Sequence, residues 1–325
     1  MKRTFILLLA LLLLGIMLTG CARKAAPEAS DHPDQLHIVT TIFPEYDWVR
    51  QILGDRADRA DITLLLDNAV DLHSYQPTAD DLVQIASCDL FIYVGGESDA
   101  WVEDALKNVS GRDMEVINLL GLLGNSAKFE ETIAGMQAEA HDHEEEAEYD
   151  EHVWLSLKNA LLFVDAISKS IQKIDPDNQR AYAANASAYM DQLSALDDAY
   201  QKAVDDAART TLLFGDRFPF RYLTDDYGLS YYAAFAGCSA ETEASFETIS
   251  YLAGKVDALR LPCVLTIEGA RHKIAETIVA NTAEKNQKVL TMDSMQATGS
   301  VDAAKGATYL SIMEKNLAVL TQALN

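Results

Sequence analysis

The feature that most constrains this chain is a pattern that occurs twice: four short β-branched or apolar runs separated by helix-length segments. The first set falls at 37–42 (HIVTTI), 61–66 (DITLLL), 90–94 (LFIYV) and 115–118 (EVIN). The second falls at 211–214 (TLLF), 230–235 (SYYAAF), 263–267 (CVLTI) and 288–291 (KVLT). Strands spaced this way build βαβ units and a mainly parallel sheet. Between the two sets, no glycine or proline interrupts residues 177–209. There Ala186, Tyr189, Leu193, Leu196, Tyr200 and Val204 recur on one helical face. Asp175 and Pro176 read as the cap and first-turn pair of that helix. At ~1.5 Å per residue the stretch predicts a rod of roughly 45 Å, without the breakers a hinge would carry. The expected fold is α/β with two lobes, each a mainly four-stranded parallel sheet with flanking helices, joined by a long rigid helix. The expected boundaries are residues 36–174 for the N-terminal lobe, 175–209 for the linking helix and 210–325 for the C-terminal lobe.

The first 35 residues read differently. Lys2 and Arg3 precede an apolar run from Phe5 to Met17, followed by Leu18-Thr19-Gly20-Cys21. A charged head, an apolar stretch of this length and small residues at its end make a secretory signal over 1–20. The run is too short for the usual ~20-residue spanning helix. Leu-Thr-Gly-Cys resembles a bacterial lipoprotein box, which implies cleavage before Cys21 and lipidation of that residue. Residues 21–35 lack apolar periodicity and read as a flexible tether. The expected location is extracytoplasmic, anchored to the cell membrane through the lipid. The 325-residue chain as a whole has a globular composition, 49% hydrophobic and 23% charged. Its 50 Asp and Glu against 26 Lys and Arg argue against nucleic acid as a partner, which needs a basic surface. After Cys21 there remain Cys88, Cys238 and Cys263, an odd number that cannot all pair. Cys238 ends one strand and Cys263 starts another, so a bridge with Cα atoms under ~7 Å apart is not expected.

Open parallel sheets bind ligands beyond the carboxyl ends of their strands. His73 lies beyond the second strand, in DNAVDLHSYQPTADDL, and His152 lies in YDEHVWLS before a helix. Glu268 ends the strand at 263–267, and Asp293 follows the one at 288–291. Two imidazoles with carboxylates suit zinc, and with more oxygen donors manganese. Upstream of His152 runs an acidic loop, 139–151, whose His141 and His143 would add weak auxiliary metal capture.

At these segments the chain resembles the zinc/manganese solute-binding lipoproteins of bacterial ABC importers, the ZnuA/TroA type. TTIFPEYDWVRQI is similar to the family's first strand and helix, HSYQPTADDL to its first ligand segment and EHVWLSLKNA to its second. YLTDDYGL and KVLTMDSM are similarly placed in the C-terminal lobe. The resemblance, from about Leu36 to Leu324, implies that His73, His152 and Asp293 are ligands of a transported Zn2+ or Mn2+. It also implies delivery to a membrane permease. The chain departs from the family at the third ligand position, five residues before the Tyr of YLTDDYGL, where Arg217 stands. A guanidinium has no lone pair for a metal. Glu268, then His272, then Asp216 are the expected substitutes, with Arg217 turned away or neutralised by Asp216, Glu243 or Glu268 and acting from behind the ligands. The loop from His141 to Glu151 is expected to be dispensable for tight binding.

Two rival functions share these residues. One is an exported zinc hydrolase with Glu268 as base, which the absence of an HExxH pair and of a Gly-x-Ser-x-Gly elbow counts against. The other is a surface metal buffer or adhesin on the same fold.

Overall fold

The structure, a computed structural model, describes residues 35–67, 71–107, 109, 113–137, 148–239, 243–269 and 272–325. The N-terminal sheet comprises β1 (His37–Thr40), β2 (Asp61–Leu64), β3 (Leu90–Tyr93) and β4 (Glu115–Asn118), in the order β2-β1-β3-β4. The C-terminal sheet comprises β5 (Thr211–Phe218), β6 (Ser230–Ala236), β7 (Cys263–Ile267) and β8 (Lys288–Met292), in the order β6-β5-β7-β8. Every ladder is parallel. Strands covered by helices on both faces read as continuous apolar runs, and β7 is buried at all five positions. In both sheets the first strand lies inside, so the chain reverses direction beside it. The crevices at the carboxyl ends of β1 and β5 are thus the natural ligand positions.

The structure differs from the sequence reading at element edges. The β1 and β2 ladders stop at Thr40 and Leu64, while β5 continues to Phe218 with a break in register between Phe214 and Arg217. That break lets Gly215 and Asp216 leave the ladder without ending the strand. The linking helix spans Gln179–Asp205, 27 residues, or about 40 Å. Asp175 and Pro176 do not cap it. Pro176–Asn178 forms a separate 3-10 turn, and the Asp175 carboxylate accepts bonds from Asn178 Nδ2 (2.7 Å) and Tyr182 Oη (2.6 Å).

The buried face of the linking helix carries Tyr182, Ala186, Tyr189, Leu193, Leu196, Tyr200 and Val204. It packs along the helix Leu157–Ile174, whose Leu157, Ala160, Phe163, Val164, Ile167 and Ile171 form the matching stripe. The last helix, Tyr309–Leu324, returns to pack on the first, Phe43–Leu53. Tyr309 meets Trp48 edge to face at 5.1 Å, donates its backbone N–H to Asp47 Oδ2 (2.9 Å) and donates its hydroxyl to the Trp154 carbonyl (2.7 Å). Each fully buried side chain of this size contributes roughly 1.5–3 kcal/mol. This aromatic contact therefore fastens the C-terminal helix to the N-terminal lobe, directly beside the segment that carries His152.

Candidate metal centre

His73 sits in a 3-10 turn, Leu72–Ser74, that follows β2. Asp71 caps the turn by accepting the His73 backbone N–H (3.1 Å). His152, fully buried, stands at the start of another 3-10 turn, Val153–Leu155. The two rings approach with their Nε2 atoms 3.4 Å apart. Tetrahedral nitrogens around zinc, with Zn–N ~2.0–2.1 Å, lie about 3.3–3.4 Å from each other. The pair is spaced as two ligands of one ion would be.

What faces the opposite ring nitrogens supports the same chemistry. His152 Nδ1 lies 3.0 Å from Asp150 Oδ1, which also accepts the His152 backbone N–H at 2.9 Å. His73 Nδ1 lies 2.9 Å from Ser98 Oγ and 3.3 Å from Glu151 Oε2. A carboxylate beside Nδ1 holds the proton there and leaves the Nε2 lone pair for a metal. Asp150 and Glu151 are each only 2% exposed. Burial raises the Glu151 carboxyl, but hydrogen bonds to His73 and Ser98 outweigh it and hold the group below its ordinary value. Gly96, at φ 88°, leaves room for Glu151, since a Cβ there would overlap the carboxylate.

A third donor type joins the pair from the other lobe. Cys238 follows β6, and one donor atom from each of His73, His152 and Cys238 lies within 4.8 Å of the others. Gly237 makes the approach feasible: a Cβ there would stand 3.0 Å from His152 Cε1 and 2.9 Å from the Phe218 carbonyl. The Cys238 backbone N–H is held by Glu130 Oε1 (2.8 Å). Burial, then the Glu130, Asp150 and Glu151 carboxylates, pushes the thiol well above its ordinary range when no cation is present. Among the described residues, no other group of three His, Cys, Asp or Glu converges in this way.

The other expected site residues are placed as follows. Arg217 donates from Nη2 to Asp71 Oδ2 (2.8 Å), so its neutralising partner is Asp71 and not Asp216, Glu243 or Glu268. Burial raises Asp71, but the Arg217 charge and hydrogen bond prevail and lower it. Arg217 thus touches the residue that caps the His73 turn. Glu268 stays outside the converging group, because its oxygens accept Ser294 N–H (2.6 Å), Ser294 Oγ–H (2.7 Å) and Gln296 N–H (3.0 Å). His272 Nδ1 faces Thr266 Oγ1 (2.7 Å), and Asp216 accepts the backbone N–H of Arg217 (2.9 Å). Glu268, His272 and Asp216 do line an open cleft of about 890 Å³ that reaches His73 and Cys238. Asp293 accepts the Met295 N–H (2.8 Å), and burial together with the Glu268 charge raises its carboxyl to about 6. It is tied to the His152 segment because Trp154 Nε1 donates to the neighbouring Ser294 carbonyl (2.8 Å). Cys238 and Cys263 are not bridged, as expected. Cys21, His141 and His143 lie outside the described residues.

Sequence reasoning missed Cys238, Asp150, Glu151 and Ser98. It also took the whole 141–151 run as dispensable, whereas its last two residues back the imidazoles. They are carried in by a strap that pairs Phe129 with Tyr149 and is pinned by Tyr222, whose hydroxyl donates to the Asp150 carbonyl (3.1 Å).

The chain is thus a two-sheet parallel α/β protein in which two imidazoles and a thiol converge. The chain belongs to the family described as zinc-uptake complex component A, periplasmic, which matches residues 38–323. It is similar to the zinc-binding lipoprotein AdcA of Streptococcus pneumoniae serotype 4, 30% identical over 324 residues, covering 99% of this chain and 61% of that protein. It is also similar to the high-affinity zinc uptake system protein ZnuA of Bacillus subtilis, 28% identical over 314 residues, covering 95% and 94%. The Zn(II)-bound ZnuA-like domain of S. pneumoniae AdcA matches in three dimensions with a TM-score of 0.69 and 27% identity, covering 89% of this chain and 99% of that one. The chain thus spans about three-fifths of the AdcA relative's length and nearly all of ZnuA's.

Proposed function

We propose that this protein captures Zn2+ outside the cytoplasm and delivers it to the membrane permease of an ABC importer. The observation that carries the reading is the 3.4 Å separation of His73 Nε2 and His152 Nε2, each ring backed by a buried carboxylate. Kinship with proteins named for zinc binding and zinc uptake supports the choice of ion. His73 and His152 bind from the N-terminal lobe. Asp293, next to the Ser294 whose carbonyl accepts from Trp154 Nε1, is the carboxylate donor of the C-terminal lobe. Ligation from both lobes couples occupancy to their relative position, and the unbroken linking helix restricts the change to a small tilt. Loading alters the face presented to the permease, whose partner ATPase drives import. Cys21 is the lipid attachment point, and His141 and His143 feed the site by weak capture. The zinc hydrolase gains no support from the site or the relatives.

Elemental analysis of protein purified without added metal tests this directly. The expected result is close to one zinc per chain, with zinc uptake lost when the gene is deleted. A protein that carries stoichiometric manganese, or no transition metal after zinc exposure, contradicts it.

A further inference from the structure

We propose that Cys238 Sγ is the protein donor standing in for the absent third family ligand, so that beside the Asp293 carboxylate proposed above the centre holds two histidines and one thiolate and is selective for zinc over manganese. The inference rests on the metal-capture reading above and adds the chemistry that sets its selectivity. Three observations carry it. First, Arg217, at the position where the resemblance places a third ligand, is engaged with Asp71 and offers no lone pair. Second, Glu268 and His272, the nearest substitutes by strand order, are turned to Ser294, Gln296 and Thr266. Third, Cys238 alone among the described residues joins both imidazoles within 4.8 Å.

The geometry is compatible with one ion. With Zn–S ~2.3 Å and Zn–N ~2.0–2.1 Å, sulfur and nitrogen in a tetrahedral shell lie about 3.6 Å apart, so closing the site from separations within 4.8 Å needs a shift of at most about 1.2 Å. The backbone around the thiol is fixed for that approach. Gly237 lies against the His152 ring, and Glu130 holds the Cys238 N–H. On binding, the S–H bond breaks, the proton leaves to solvent and a Zn–S bond forms, with no change of oxidation state. A thiolate favours zinc, whereas carboxylate and water ligands favour manganese. Cys238 comes from β6, so it also spans the two lobes. Occupancy would then draw the edge of the C-terminal sheet toward His73 and His152.

Cobalt substitution tests the assignment, because Co2+ bound to a thiolate shows an intense near-ultraviolet sulfur-to-metal charge-transfer band. The purified protein, titrated with Co2+, is expected to develop that band at one equivalent. Cys238→Ser should abolish it and weaken Zn2+ at least tenfold in chelator competition. Cys238→His should also lack the band but keep Zn2+ within about tenfold of the parent, which guards against a folding defect as the cause. A parent that binds one Co2+ without the band, or a Cys238→Ser protein that binds Zn2+ like the parent, overturns the thiolate assignment and leaves metal capture standing. If neither Co2+ nor Zn2+ binds the parent at all, both readings fall.

Discussion

At the scale of single residues, the converging imidazoles are organised by the carboxylates that stand behind them. Asp150 is buried and accepts two bonds from His152, one from the ring and one from the backbone. Outer-shell carboxylates of this kind typically contribute 10–100-fold to metal affinity. Asp150→Ala should therefore weaken Zn2+ by roughly that factor while the protein still unfolds cooperatively, as competition titration with a chelator beside a thermal melt will show. An unchanged zinc affinity would mean that His152 needs no such partner. His73 and His152 were legible in the sequence because each lies in a recognisable segment at a strand or helix boundary. Cys238 was not legible. Its role depends on β6 lying at the sheet edge and on Gly237 fitting against a ring 85 positions earlier in the chain. Nor were Asp150 and Glu151, which look like the tail of an acidic run until the Phe129–Tyr149 bridge turns them inward.

At the scale of elements, apolar runs and helical periodicity placed all eight strands, and the errors were at their edges. β5 outruns its apolar core because pairing with β6 resumes at Arg217 after the irregularity, a tertiary effect that propensity does not register. Asp175 caps neither the linking helix nor its own turn, because its carboxylate is taken by the Tyr182 hydroxyl and the Asn178 side-chain amide. The linking helix makes a sharper claim, that it serves as a strut and not as a hinge. Ala195 lies on its exposed face. Ala195→Gly should cost about 1 kcal/mol in urea unfolding, the usual penalty for glycine in a helix interior. Zinc affinity should stay within twofold of the parent. A fall in affinity well beyond that would show that bending of this helix is part of ligand capture.

At the scale of the whole molecule, His73 and His152 of the N-terminal half converge with Cys238, which follows β6 of the C-terminal sheet. The C-terminal helix locks this arrangement by planting Tyr309 against Trp48, next to the His152 segment. The acidic balance, 50 Asp and Glu against 26 Lys and Arg, fits a body that concentrates cations and avoids anionic surfaces. The two-lobe plan could be read from the sequence because it is written in repeated local patterns. Where the lobes meet could not, because that depends on long-range contacts such as Trp154 with Ser294. The central claim is that one zinc ion is held at the meeting point of His73 and His152. Zinc titration against a chelator of known affinity, on the parent and on His73→Ala and His152→Ala, tests it most directly. The account predicts one tight site in the parent and at least a tenfold loss in each variant, about 1.4 kcal/mol. Variants that both bind zinc as tightly as the parent would contradict it.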